Sequence, residues 1–130
     1  MKKAIALLLA LVMVFALCAC GGGDKGTADN GEKVVKIGVF EPASGDSGAG
    51  GKKEMLGMQY ANQETPTVEI GGETYKVELV YSDNGSDSAK AVSAASKLVN
   101  EKVSIVLGSY GSGVSIAASD TFKQAGIPAV

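Results

Sequence analysis

Residues 103–130 constrain the fold of this chain more than any other stretch. A short β-branched run at residues 103–107 leads into a turn rich in glycine and serine, and apolar side chains then recur at helical spacing from Val114. Gly126 and Pro128 are residue types that end helices, and the first residues of another strand follow. The order of strand, loop, helix and strand predicts a helix that packs on a sheet.

The loop before this helix has the composition of an anion-binding site. The first turn of a helix leaves its backbone N–H groups without intrahelical partners, and the helix dipole favours negative charge there. Ser112 is predicted at the N-cap or just before it, and Gly111 and Gly113 remove the Cβ atoms that would keep a ligand from the backbone. The alternative, that Ser112 only caps its own helix, stays open.

Two earlier segments have the same order of strand, loop and helix. Residues 34–40 are rich in β-branched side chains, as a strand buried on both faces would be, and a loop rich in Gly and Ser follows at residues 41–51. Residues 75–82 alternate between apolar and polar side chains and form the second predicted strand, after a tight hairpin turn at Gly71 and Gly72.

The next helix is predicted to have Asp87 as its N-cap and to end near Asn100. Asp83 and Asn84 are predicted to form a solvated turn, because a calcium loop would need a glycine and a glutamate that are missing. The whole order predicts an α/β fold with a parallel sheet flanked by helices. Ligands of such sheets bind beyond the carboxyl ends of the strands, where both loops rich in glycine and serine lie.

The first 33 residues have the composition of an export signal and a tether. Lys2 and Lys3 precede an apolar run at residues 4–19, which is short for a spanning helix of roughly 20 residues. The alternative is a plain membrane anchor. Residues 21–33 are polar and rich in glycine, which predicts a flexible tether before a single folded domain at residues 34–130.

The motif G-S-Y-G-S-G-V-S-I-A-A-S-D, followed by K-Q-A-G-I-P-A-V, resembles the Leu/Ile/Val-binding-protein family. These are type I substrate-binding proteins of ABC importers. The resemblance implies that Ser112 and neighbouring backbone amides hold the α-carboxylate of an amino acid, branched-chain-like, in a cleft between two lobes. The implied ligand-binding residues are Ser112, Gly111, Gly113, Tyr110 and Ser44. The position at which many members carry an aromatic residue corresponds to Gly50, so the resemblance does not fix the ligand.

The resemblance also implies a cellular location and binding partners. Leu17-Cys18-Ala19-Cys20 is similar to a bacterial lipobox, which implies that residues 1–20 are a lipoprotein signal and that lipid on Cys20 anchors the protein at the outer face of the cell membrane or in the periplasm. The implied partners are the amino acid or a similar small molecule, the ABC permease subunits, and the membrane through the lipid. Residues 34–130 would be an incomplete N-terminal lobe, and residues 21–130 alone are expected to bind an amino acid no tighter than about 1 mM.

Several function classes are disfavoured by composition. The chain has no His, cleavage before Cys20 would leave one Cys, and no paired carboxylates are expected near either loop, so we predict no enzyme, no cofactor and no metal site. The basic residues are all Lys without a clustered patch, which argues against nucleic-acid binding. A nucleotide- or phosphate-binding module remains an alternative, although G-x-x-x-x-G-K-[ST] and G-x-G-x-x-G are both missing. A ligand-sensing domain is another alternative.

Overall fold

The structure, a computed structural model, describes residues 31–130. The predicted signal, the lipobox with Cys20 and most of the predicted tether lie outside the described residues. None of the helices within residues 31–130 combines the length and the hydropathy that a membrane-spanning helix needs.

The described residues form a four-stranded sheet with helices. The elements in chain order are β1 (Val34–Val39), α1 (Gly48–Glu64), β2 (Thr67–Ile70), β3 (Glu73–Tyr81), α2 (Ser88–Asn100), β4 (Ile105–Leu107) and α3 (Ser112–Ala125). The strand order is β2-β3-β1-β4, and β1 pairs in parallel with β3 and β4. The predicted α/β fold is confirmed, and the sheet is mixed because the predicted hairpin makes β2 antiparallel to β3.

Short-range signals placed three turns and helix ends correctly. Gly71 and Gly72 have φ values of 61° and 83°, as a tight hairpin turn requires. Asp87 caps α2 by accepting a hydrogen bond of 2.7 Å from the N–H of Ala89. Gly126 ends α3 in the left-handed conformation, and Ala129 then pairs in parallel with Val106 of β4, as the start of a further strand would.

Several predicted boundaries were wrong. The helix α1 begins at Gly48, inside the stretch predicted as a loop, because Gly48 and Gly51 pack against the backbone that follows β1. A Cβ built on Gly51 would overlap the carbonyl oxygen of Pro42, so only glycine allows the helix to start this close to the sheet. The strand β4 has three residues rather than the predicted five.

The core lies between the sheet and the helices α2 and α3. Its central contact is an edge-to-face pair, Phe40 with Phe122, whose ring centroids are 5.5 Å apart. The buried residues of this cluster are Phe40, Ala91, Ala94, Ala95, Leu98, Val103, Val106, Val114, Ala118 and Phe122. On the other face, Val35, Ile37, Val77 and Leu79 line an open apolar groove together with Met58 of α1.

Candidate functional site

Three loops meet at one edge of the sheet. They follow β1, β3 and β4, and we call them the first loop (residues 40–47), the second loop (residues 82–87) and the third loop (residues 108–111). Because β1, β3 and β4 are parallel, their carboxyl ends lie at the same edge, which we call the carboxyl edge. This is where open α/β sheets bind their ligands.

Asp83 joins the first loop to the second. Its Oδ1 accepts hydrogen bonds of 2.8 Å from the backbone N–H groups of Ala43 and Gly85. Its Oδ2 accepts a hydrogen bond of 2.7 Å from the hydroxyl of Ser44. Burial acts to raise the pKa of Asp83, but these hydrogen bonds outweigh it and lower the pKa below its ordinary value. The hydroxyl proton of Ser44 is therefore committed to Asp83, and only its acceptor side is left for a ligand.

Ser86 makes a second connection between the same loops. Its hydroxyl accepts a hydrogen bond of 2.9 Å from the N–H of Ser47 and donates one of 3.0 Å to the carbonyl of Ser44. The loops come so close that a Cβ on Gly45 would overlap the carbonyl group of Gly85. The second loop thus holds the first loop through hydrogen bonds and close backbone packing.

Asn84 is fully buried and connects all three loops. Its side-chain amide donates hydrogen bonds of 3.1 Å to the carbonyl of Phe40 and 2.9 Å to the hydroxyl of Ser109. Its Oδ1 accepts a hydrogen bond of 3.1 Å from the N–H of Ser86. The sequence prediction of a solvated turn was therefore wrong for Asn84, which is a buried hydrogen-bonding centre.

Glu41 is a buried carboxyl beneath the third loop, with 1% of its surface exposed. Its Oε2 accepts a hydrogen bond of 2.9 Å from the N–H of Tyr110, and a Cβ on Gly108 would overlap its Oε1. Burial raises the pKa of Glu41 to about 7; the hydrogen bond from Tyr110 opposes this, and the carboxylate of Glu54 adds to it. The expectation that no paired carboxylates lie near the loops was wrong.

A cavity of about 930 Å³ opens beside Glu41. Glu54 from α1 and Lys123 from α3 are the other charged residues of its lining, and Ser109 and Ser115 supply hydroxyl groups. The carboxyl of Glu41 therefore interacts with that of Glu54, and among the described residues Lys123 of the same cavity forms no ion pair with it.

The raised pKa of Glu41 predicts that stability falls as pH rises. Between pH 4.5, the ordinary value, and about 7, the folded chain keeps a proton on Glu41 that the unfolded chain loses. The free energy of unfolding should therefore fall across this window by up to about 3 kcal/mol. In Glu41→Gln, the side-chain carbonyl can still accept the hydrogen bond from the N–H of Tyr110, but the side chain has no proton to lose. We therefore expect the free energy of unfolding of this variant, measured with urea at pH 5 and pH 8, to show no such loss.

The matched control is Glu69→Gln, which replaces an exposed carboxylate on β2. This variant should keep the pH dependence of the unmodified chain. If the free energy of unfolding falls equally with pH in the unmodified chain and in Glu41→Gln, Glu41 does not hold its proton in the folded state.

Ser112 lies one position later than predicted. It is the first residue of α3, and Gly111 is the N-cap, without any side-chain capping bond. The alternative that Ser112 only caps its helix is therefore wrong. Within residues 31–130, the hydroxyl of Ser112 forms no hydrogen bond. The backbone N–H groups of Ser112 and Gly113 have no acceptor there either.

The other predicted backbone donors of this loop already have acceptors within the protein. The N–H of Tyr110 is bound to Glu41, and the N–H of Gly111 donates to the hydroxyl of Ser109 at 3.4 Å. The donors left for a ligand are therefore the Ser112 hydroxyl and the N–H groups of Ser112 and Gly113, at the positive end of α3. Such a group of donors fits a small anion such as a carboxylate. No cluster of three or more metal-ligating side chains occurs in the part of the chain that is described.

Tyr110 and Gly50 come together at this site. The side chain of Tyr110 is about half exposed, and its ring lies against Gly50 in the first turn of α1. The structure thus brings the third loop, which precedes the free donors, against the helix that follows the first loop. Ser44 is bound instead to Asp83 of the second loop.

Comparisons with known proteins identify the family to which this chain belongs. A family model described as periplasmic binding protein matches residues 34–130, and the chain belongs to this family. The Leu/Ile/Val-binding protein homolog 2 of Brucella abortus is 33% identical over 116 residues, which is 89% of this chain. The chain spans 29% of that relative's length.

Two solved structures show the same fold with ligands bound. The branched-chain amino acid substrate-binding protein LivJ of Streptococcus pneumoniae, in complex with isoleucine, is 35% identical with a TM-score of 0.65, over 75% of this chain and 28% of that one. A solute-binding protein of an ABC transporter from R. palustris, in complex with benzoate, is 28% identical with a TM-score of 0.63, over 74% and 26%. The family and these neighbours are binding proteins rather than enzymes, and the family indicates an extracytoplasmic location.

Proposed function

We propose that this chain carries part of the ligand site of an extracytoplasmic substrate-binding protein that serves an ABC importer. The site would bind the carboxylate of an amino acid, branched-chain-like, in a cleft between two lobes, and residues 34–130 would belong to the N-terminal lobe. The observation that carries the proposal is the set of free donors at the start of α3, the Ser112 hydroxyl and the N–H groups of Ser112 and Gly113.

The position of these donors supports a carboxylate as the ligand group. They lie at the carboxyl edge, at a helix N-terminus, and the third loop beside them is fixed by Glu41 and Asn84. A donor held in place before the ligand arrives loses less conformational freedom on binding, so more of each hydrogen bond contributes to affinity. A hydrogen bond to a charged group contributes about 1.5–3 kcal/mol.

The ligands of the neighbours support a carboxylate with an apolar body. Isoleucine and benzoate share a carboxylate group and differ in the rest of the molecule. A site that anchors the carboxylate and leaves the body to other residues would account for both. We therefore propose that the start of α3 binds the carboxylate of the ligand. The surrounding side chains would determine which apolar part of the ligand is accepted.

A thermal-shift panel on the complete gene product that carries this chain tests the proposal. Leucine, isoleucine, valine and benzoate are the expected ligands, and AMP and inorganic phosphate represent the alternative of a phosphate-binding module. A ligand at a hundred times its Kd stabilises the folded state by about 2.7 kcal/mol, which raises Tm by several degrees. A shift with AMP or phosphate and none with the carboxylates would contradict the proposal.

We also propose that Cys20 carries the lipid, on the evidence of Leu17-Cys18-Ala19-Cys20 at the end of an apolar run. Expressed in bacteria, the protein should partition into the detergent phase, and Cys20→Ser should abolish both the lipid and this partitioning. Cys18→Ser is the matched control and should stay lipidated. A lipidated, detergent-phase product from Cys20→Ser would show that the anchor lies elsewhere.

A further inference from the structure

The third loop is bonded directly to a buried carboxyl group. Glu41 has 1% of its surface exposed, and its Oε2 accepts the hydrogen bond of 2.9 Å from the backbone N–H of Tyr110. Two residues of backbone extend at most about 7 Å, so this oxygen lies within roughly 10 Å of the backbone nitrogen of Ser112. A charge on Glu41 would therefore lie close to the carboxylate of a ligand bound at the start of α3.

The surroundings of Glu41 do not favour its ionised form. A buried carboxylate needs a cation or several hydrogen-bond donors to offset its loss of hydration. Asp83 of the second loop meets this need, because it accepts hydrogen bonds from two N–H groups and one hydroxyl group. Glu41 accepts from one N–H group within residues 31–130, and no cation there forms an ion pair with it. A proton on Glu41 therefore avoids a buried charge with little compensation.

The charged and titratable groups around Glu41 come from two helices and two loops. Glu54 of α1 and Lys123 of α3 line the same cavity as Glu41. Tyr110 of the third loop donates its N–H to Glu41, whereas Asp83 of the second loop is bound to the first loop further along, at the N–H of Ala43. Burial raises the pKa of Glu41 to about 7 against the hydrogen bond from Tyr110, and the charge of Glu54 adds to the rise.

We propose that Glu41 couples proton uptake to ligand binding: the protein binds its carboxylate ligand more tightly when Glu41 carries a proton, and it takes up a proton as the ligand binds. This inference rests on the proposed carboxylate site at the start of α3. Two negative charges about 10 Å apart, at an effective dielectric constant of about 20, repel strongly enough to change the affinity about tenfold. A carboxyl oxygen accepts the hydrogen bond from Tyr110 with or without the proton, so the charge changes while the third loop stays bonded.

The affinity for the ligand should fall as pH rises. The free protein loses the proton of Glu41 at a pKa of about 7, and the negative charge of a bound ligand should raise this pKa further, by about one pH unit. Binding should therefore be tightest at pH 5.5 and about five- to tenfold weaker at pH 8.5. At pH 7.5, where the free protein has largely lost the proton and the complex has largely kept it, binding should take up about half a proton per ligand.

Calorimetry of the complete gene product with L-leucine and with benzoate tests this coupling. Each titration at pH 7.5 is run in two buffers of different ionisation enthalpy, because the difference in heat gives the number of protons taken up. The Kd is also measured at pH 5.5 and pH 8.5. Glu41→Gln keeps an acceptor for the N–H of Tyr110 and cannot ionise, so it should bind without this proton uptake and keep its affinity at pH 8.5.

Glu54→Gln is a second variant, which leaves Glu41 in place and removes an exposed charge of α1. Without the charge of Glu54, Glu41 should lose its proton at lower pH. Proton uptake at pH 7.5 should therefore decrease, and the loss of affinity should begin at lower pH. Glu69→Gln, which replaces an exposed carboxylate on β2, is the matched control and should behave as the unmodified protein does.

Two results would overturn this inference alone. Ligand binding without proton uptake at pH 7.5 would show that Glu41 is not coupled to the ligand. Proton uptake that is unchanged in Glu41→Gln, or in Glu54→Gln where only that variant folds, would assign the proton to another group. No binding of either ligand at any of these pH values would overturn the proposed function together with the inference, and this result differs from the other two because no ligand is bound.

Discussion

Replacing Ser112 with alanine is expected to weaken ligand binding by the complete gene product roughly ten- to a hundredfold. The hydroxyl of Ser112 has no partner within residues 31–130, and it lies at the positive end of α3 beside two free N–H groups. A hydrogen bond from such a donor to a carboxylate contributes about 1.5–3 kcal/mol. Calorimetry with the ligand that the thermal-shift panel identifies measures this loss.

The same variant should keep its stability. Because Ser112 makes no capping bond, its removal takes away no interaction of the folded chain, and the free energy of unfolding should change by less than about 0.5 kcal/mol. Ser119→Ala is the matched control, since its hydroxyl donates within α3 to the carbonyl of Ile116. Unchanged affinity in Ser112→Ala, or an equal loss in Ser119→Ala, would remove Ser112 from the ligand site.

Replacing Asn84 with alanine is expected to lower the free energy of unfolding by about 2–4 kcal/mol. The change leaves the carbonyl of Phe40 without its side-chain donor and the N–H of Ser86 without its acceptor at a fully buried position. Each buried polar group that loses its partner costs about 1–3 kcal/mol. It also releases Ser109 of the third loop, so affinity for the ligand should fall as well.

Asn62→Ala is the matched control for this substitution. The Oδ1 of Asn62 is buried without any hydrogen-bond partner within the described residues, so its removal takes away no satisfied interaction. Chemical denaturation of both variants should therefore give a clearly larger loss for Asn84→Ala. Similar losses in the two variants would show that the hydrogen bonds of Asn84 do not hold the three loops together.

The features that the sequence predicted well depend on short-range interactions. The hairpin turn needs a positive φ at two adjacent residues, which Gly71 and Gly72 supply, and the cap of α2 needs one acceptor two residues from Ala89. The order of strands and helices followed from the spacing of apolar side chains. Together with the rule for parallel sheets, this was enough to place the candidate site at the carboxyl edge.

The features that the sequence missed depend on contacts between distant residues. Glu41 binds the N–H of Tyr110 across 69 positions, and Asn84 binds the carbonyl of Phe40 across 44. A glutamate directly after a buried strand is a signal that could have pointed to the first of these. The glycines at the start of α1 were assigned to a loop on composition, whereas their reason is packing against Pro42, Ala43 and Tyr110.

The position of Ser112 shows how much one residue matters at a helix end. Sequence patterns fix helix boundaries only to within a few residues. At the N-cap, the hydroxyl of Ser112 would have been used by its own helix, whereas at the first helical position it is free. The structure therefore argues against the capping role that the sequence left open, and the free hydroxyl supports the proposed site.

Calorimetry with matched acids and amides tests most directly whether the start of α3 holds a carboxylate. The complete gene product is titrated with L-leucine and L-leucinamide, and with benzoate and benzamide, which differ within each pair only in the group that would meet Ser112. We expect the acid of the preferred pair to bind at least a hundredfold more tightly than its amide, because the amide carries no negative charge for the helix N-terminus. Equal affinities for acid and amide would contradict a carboxylate site at Ser112.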